Sequence, residues 1–211
     1  MTPADALERG ARDLAVGLDP AAARKLLEYI ELLAKWNKTY NLTAIHAPLP
    51  MVTHHLLDSL AVVPHLPAAQ GKVLADVGSG AGLPGIPIAV ARPDWRVTLN
   101  DASGKKAAFL RQAAIELRLK NVTVHEGRVE EWHPPIRFPV VISRAFARLS
   151  DFIERCSHLV SRGGWILAMK GALPSDELTE VPRACDCRHV LPLKVPFLEA
   201  ERHLVLCTAQ P

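Results

Sequence analysis

The chain has 211 residues, 49 % of them hydrophobic and 22 % charged, with a formal net charge of +3 and a pI near 8.7. That composition builds one sizeable core but hardly two, so a single globular α/β domain with an extension is expected. The mild charge permits an RNA partner but excludes a nucleic-acid-coating tail. No apolar run approaches the ~18 residues that cross a bilayer, which leaves the cytoplasm as the expected location.

The first third reads as helices. Asp19-Pro20 supplies an N-cap and a first-turn proline for a helix over 21–36, with Leu26, Leu27, Ile30 and Leu33 on one face. After a loop holding Pro48 and Pro50, a second helix is predicted over 51–63. His54, His55 and Asp58 share a face of it, as a packing or capping group at a helix junction would. Residues 64–71 link to the first strand, so the chain divides into an N-terminal helical extension, 1–66, and an α/β unit, 67–211, the two forming one compact whole.

Strand 73–77 ends in Asp76-Val77-Gly78-Ser79-Gly80-Ala81-Gly82-Leu83-Pro84-Gly85. Gly78, Gly80 and Gly82 allow a sharp turn and a ligand approach that a Cβ would obstruct. Pro84 and Pro87 fit only a first helical turn, whose free amides and dipole would face an anionic group. A dinucleotide fingerprint needs glycine where this chain has Leu83. The D-x-G-x-G-x-G spacing instead suits an ammonium on Asp76 and a carboxylate on the loop amides, the two ends of the amino-acid moiety in S-adenosylmethionine. Asp101 closes the strand 95–100, 23 positions after Gly78, where nucleotide-binding α/β folds place a carboxylate on ribose hydroxyls.

The alternation continues with a helix over 104–119, strands at 121–126 and 139–143, a helix over 150–160 and a strand at 164–169. Runs at 190–195 and 203–208 make a closing strand pair, and 174–188 loops over the surface. Such alternation means a parallel sheet with helices on both faces. Cys156, Cys185, Cys187 and Cys207 lack metal-knuckle spacing and are expected to be reduced, with no metal bound.

Ligands of these sheets sit beyond the carboxyl ends of the strands. Asp76, Asp101, the turn Gly127-Arg128-Val129-Glu130, Arg144 and Lys170 fall there. Val129 and Glu130 stand where an adenine would lie, although a solvated turn accounts for them too. Arg144 ends an apolar strand, and its donor fork suits a carboxylate, a phosphate or the O6/N7 edge of guanine. Lys105 and Lys106 oppose the dipole at a helix start, fitting either an RNA phosphate or plain solvation. The fourth strand lacks both the Asn/Asp-Pro-Pro-aromatic tetrapeptide that grips an exocyclic amine and a cysteine nucleophile. On these residues alone, a metabolite methyltransferase and a non-catalytic cofactor sensor stay open beside an RNA enzyme.

Further segments carry a resemblance: Trp36-Asn37-Lys38-Thr39-Tyr40-Asn41-Leu42-Thr43, His55-Leu56-Leu57-Asp58-Ser59, Gly104-Lys105-Lys106, Arg128-Val129-Glu130-Glu131, Ser143-Arg144-Ala145-Phe146-Ala147, Lys170-Gly171 and Glu201-Arg202-His203-Leu204-Val205. With the glycine loop they span residues 36–205, and the chain resembles the glucose-inhibited division protein B, or RsmG, family of bacterial methyltransferases. The resemblance implies a Rossmann-like class I fold with a mostly parallel seven-stranded sheet. It implies methyl transfer from S-adenosylmethionine to N7 of a guanine in 16S ribosomal RNA. N7 carries an in-plane lone pair and loses no proton, so no general base is expected, and the chain is expected to act as a monomer. The family's cofactor contacts would fall on Gly78, Leu83, Val129, Glu130 and Arg144, and its RNA or target-base contacts on Arg128, Lys170 and Arg202, joined by Lys105 and Lys106. One departure is His54, where relatives often carry lysine or arginine.

Overall fold

The computed structural model describes residues 1–68, 71–144, 146, 148–182 and 185–209. Ala145 and Ala147 of the Ser-Arg-Ala-Phe-Ala segment, and part of the expected linker at 64–71, lie outside the described residues.

Helices start earlier than Asp19. Thr2 and Asp5 form a reciprocal capping box that opens α1 (Pro3–Asp13), whose buried face carries Leu7, Gly10 and Ala11. Helix α2 (Pro20–Tyr40) begins as expected, with the Asp19 side chain accepting from the Ala22 amide, and stops at Asn41 in the left-handed region. The second expected helix is not regular. It begins as α3 (Pro48–Met51), widens into a π-helical turn over Val52–Leu57 and resumes as α4 (Asp58–Leu60).

Seven strands follow in one sheet of order β3-β2-β1-β4-β5-β7-β6, made of β1 (Val73–Val77), β2 (Arg96–Asp101), β3 (Val122–Glu126), β4 (Phe138–Arg144), β5 (Val160–Lys170), β6 (Cys185–Pro192) and β7 (His203–Ala209). Strands β1 to β5 pair in parallel, while β7 runs antiparallel to both β5 and β6. Connecting helices are α5 (Gly85–Ala91), α6 (Gly104–Glu116), α7 (Leu149–Cys156) and α8 (Ser175–Thr179). The expected surface loop at 174–188 therefore needs correction, because α8 and the start of β6 occupy it. Polar residues on a short helix and an edge strand concealed both from hydrophobic periodicity.

The cysteine expectation is also corrected in part. The antiparallel pairing of β6 with β7 sets Cys187 beside Cys207 with a Cα separation of 4.0 Å, and the two form a disulfide. Cys156 and Cys185 are free, and no group of three or more potential metal ligands occurs among the described residues.

Two apolar clusters cover the two sheet faces. One joins Leu7, Leu26, Tyr29 and Leu56 to Leu74, Ile86 and Phe109, so the helices of residues 1–66 share a core with the sheet. The other gathers Val77, Trp132, Phe138, Val141 and Phe152. No described helix is long and apolar enough to cross a membrane.

Candidate active site

The chemistry-bearing residues collect where β1, β2, β4 and β5 end. The glycine loop is tied there largely by its own amides. Ser79 N–H donates to the Asn100 carbonyl at 2.9 Å, Gly80 N–H to Asp101 Oδ2 at 2.9 Å, and Gly82 and Leu83 N–H to the Ser79 carbonyl. The phenol of Tyr29, fully buried on α2, donates to the Ala81 carbonyl at 2.6 Å, so the helical extension props the loop from outside the sheet.

Asp76 caps the helix that follows the loop. It is fully buried, and its Oδ2 accepts the Gly85 N–H at 2.8 Å, capping the start of α5 from within. Its other oxygen, Oδ1, is buried and has no hydrogen-bond partner among the described residues, and the start of α5 is buried as well. The glycines divide in role. A Cβ on Gly78 would meet no protein atom within 4 Å, and one on Gly80 would meet only the Gly78 carbonyl at 3.9 Å, so both border free space. A Cβ on Gly82 would lie 2.4 Å from Ile86 Cδ1, so this glycine lets α5 pack closely against the loop. Asp101 holds Gly80 and Ser103 amides on its two oxygens, with Lys106 Nζ 3.7 Å away. The empty margin beside Gly78 and Gly80, bounded by this carboxylate, fits S-adenosylmethionine.

A second cleft of about 410 Å³ opens at the ends of β4 and β5. Arg144 Nη1 donates to the His54 carbonyl and to Asp58 Oδ2, each at 3.0 Å, while Arg202 Nε donates to Asp58 Oδ1 at 2.9 Å. Asp58, 3 % exposed, thus bridges two arginines that lie 86 and 144 positions away in the chain. Lys170 joins the cleft and pairs with Glu177 at 2.7 Å. His54, His55 and Asp58 line the cleft, so they are more than helix-junction packing.

Behind the cleft, the Trp36–Thr43 signature finds its physical reason. Asn37, 1 % exposed, donates its amide to the Thr43 carbonyl and accepts the Thr43 N–H, both at 2.9 Å. The Thr43 hydroxyl meets His55 Nε2 at 2.8 Å. Sequence reasoning missed Tyr29, Asn37, Thr43 and Asp58 as site residues. The Trp-Asn…Asn-Leu-Thr signature was the one available signal for Asn37 and Thr43.

The remaining expected RNA residues do not join this cleft. Lys105 and Arg128 are exposed and Lys106 is half-buried, all beside β2 and β3, whereas Lys170 and Arg202 accompany Arg144. Val129 packs into the core with Trp132, and exposed Glu130 pairs with Arg155 at 2.8 Å.

Two buried groups titrate oppositely. Burial pushes Asp76 up to about 7, and burial followed by the nearby Arg144 charge pushes His55 down to about 4. Between pH 4 and 7 the folded chain keeps the Asp76 proton that the unfolded chain sheds, so this group's stability contribution falls as pH rises, by about 4 kcal/mol at most. His55 is neutral when folded yet charged when unfolded below about pH 6.5, so its contribution rises with pH over roughly 4 to 6.5, by about 3 kcal/mol. Urea denaturation of the parental chain should therefore vary little over this range. Asp76→Asn should unmask stability rising with pH, and His55→Gln should unmask a fall. Parental pH profiles in both variants would show that these groups do not titrate there.

Glycine loop after β1, acidic residue closing β2, and a parallel sheet ending in an antiparallel β7 together define a class I S-adenosylmethionine-dependent methyltransferase. The chain belongs to the family whose model, GidB, is described as rRNA small subunit methyltransferase G and matches residues 22–205. It is 48 % identical over 209 residues to the Ribosomal RNA small subunit methyltransferase G of Burkholderia multivorans, covering 95 % of this chain and 92 % of that protein. The protein of the same name in Burkholderia pseudomallei is 50 % identical over 204 residues, with 94 % and 88 % covered. Among solved structures, the chain resembles a SAM dependent methyltransferase from Aquifex aeolicus, with a TM-score of 0.56 at 15 % identity over 76 % of this chain and 93 % of that one. It also resembles a predicted O-methyltransferase from Agrobacterium tumefaciens, with a TM-score of 0.57 at 22 % identity over 74 % and 80 %.

Proposed function

We propose that this chain transfers a methyl group from S-adenosylmethionine to N7 of a guanine in 16S ribosomal RNA. The observation that carries the reading is the cleft beside the glycine loop, lined by the cations Arg144, Lys170 and Arg202. Asp58 is held by two arginines, and the Thr43 hydroxyl occupies Nε2 of His55. N7 of guanine presents an in-plane lone pair and loses no proton when alkylated, so alignment suffices. The bound cofactor supplies an electrophilic methyl carbon on a sulfonium.

Gly78 and Gly80 border the space for its amino-acid end, with Gly82 and Leu83 shaping the loop behind it. Asp101 keeps lone pairs for the ribose hydroxyls. The backbone at Val129 and Glu130 borders the adenine. Since N7 must stay open to attack, Arg144 cannot fork across O6 and N7. Its Nη1 hydrogens are taken by His54 and Asp58, which leaves Nε and Nη2 for O6 or a flanking phosphate. Asn37, Thr43 and His55 act through Arg144 by fixing the π-helical turn that holds it. Arg202 and Lys170 favour RNA phosphate at the cleft, and Lys105, Lys106 and Arg128 do so on the β2–β3 side.

Incubation with labelled cofactor and small-subunit RNA, followed by nucleoside analysis, should give N7-methylguanosine. Label on an exocyclic amine, a ring carbon or ribose overturns the reading, as does label confined to small metabolites.

A further inference from the structure

Far from the active site, one face of the sheet is left uncovered over the first halves of β2 and β3. Thr98 is the register partner of Ala75 and Thr123 that of Thr98, so all three face one side, and the two threonine hydroxyls meet at 2.9 Å in an exposed position. The helices that pack on β2 and β3, α5 and α6, lie on the opposite face with Leu99 and Phe109. On the Thr98 side, the connection from β3 to β4 contains only the short turn Val129–Glu131, and its Trp132 covers no more than the His125 end of β3. The uncovered amino-terminal halves of the strands form a groove of about 440 Å³.

The charges around this groove are one-sided. Arg96, Lys120 and Arg137 border it, and no carboxylate does. All three are exposed, and none makes an ion pair or side-chain hydrogen bond among the described residues. The nearby Asp94 is already neutralised by Lys72 at 2.5 Å. Beside the cations stands Ile136, 79 % exposed, on a floor that includes Val73 and Phe138. Three unpaired cations, two exposed hydroxyls and an apolar ledge suit a polyanion with flat, partly apolar surfaces.

We propose that this groove docks the sugar-phosphate backbone of a second segment of the substrate RNA. The inference rests on the RNA reading above. A five-residue strand spans roughly 17 Å, so the groove and the active site engage separate segments of one large RNA. Each occupied site then raises the effective concentration at the other.

The test is the triple variant Arg96→Ala, Lys120→Ala, Arg137→Ala, none of whose residues touches the cofactor loop or the cleft. Parental affinity for S-adenosylmethionine confirms that the variant folds. On full-length small-subunit RNA, affinity near 0.1 M salt should fall about 10-fold, and the slope of log affinity against log salt should flatten by about two. KM should rise with kcat unchanged, while a short hairpin carrying the acceptor guanine is methylated at the parental rate. A parental salt slope on the long RNA overturns the proposal, and so does an equal loss on long and short RNA. A photo-crosslinker at position 136 that labels a ribosomal protein of the small subunit instead of its RNA also overturns it. Binding is read without turnover, so failure of the parental chain to methylate any RNA would count against the proposed reaction alone.

Discussion

Gly80→Val should lower the affinity for S-adenosylmethionine by at least about 100-fold, with the chain still folded. No protein atom lies closer than 3.9 Å to the site of the new Cβ, so the added methyls enter the free margin of the loop rather than the core. The backbone there has φ +58°, which adds local strain of about 1–2 kcal/mol, tolerable in a domain of this size. Gly82→Val gives the contrast. Its Cβ would press on Ile86 and Leu110, so the loss should appear as a lowered melting temperature. Asp101→Ala should fall between them, weakening the cofactor about 10- to 100-fold by removing an acceptor and freeing the Gly80 amide. Calorimetry with thermal melts separates the cases. Parental cofactor affinity in Gly80→Val would place the ligand elsewhere.

Arg144→Ala should reduce kcat/KM by about 100-fold, the scale of one or two charge-assisted hydrogen bonds. Thr43→Val, which keeps the shape but removes the hydroxyl that meets His55, should cost about 10-fold, and Thr43→Ser should restore most of it. If Asn37, Thr43 and His55 act through Arg144, adding Thr43→Val to Arg144→Ala should make the enzyme no slower than Arg144→Ala alone. Additive losses would assign the signature to general stability, as would failure of the serine to rescue.

The features legible in the chain were those whose signals are local. Apolar runs alternating with helical spacing located β1 to β5 and the helices between them, because each element must turn one face or stripe into a core. Glycines, prolines and the strand-end carboxylates Asp76 and Asp101 were visible for the same reason: backbone freedom and capping act within a few residues. That Asp76 caps α5 and Gly82 lets it pack closely was not visible. Such contacts depend on which helix packs behind the loop.

Tertiary structure alone decided the rest. The bridge from Asp58 to Arg144 and Arg202 joins three distant parts of the chain, and no periodicity encodes such a pairing. Cys187 meets Cys207 only through the register of β6 on β7. The π-helical turn, the contact of Tyr29 with the glycine loop and the bare face at Thr98 and Thr123 depend on which elements pack together and which surface they leave uncovered. Sequence by itself determined that a cofactor loop follows β1. The packing of the N-terminal helices against the sheet determined the cleft beside it, because its arginines take their orientation from a carboxylate and a carbonyl on a different element.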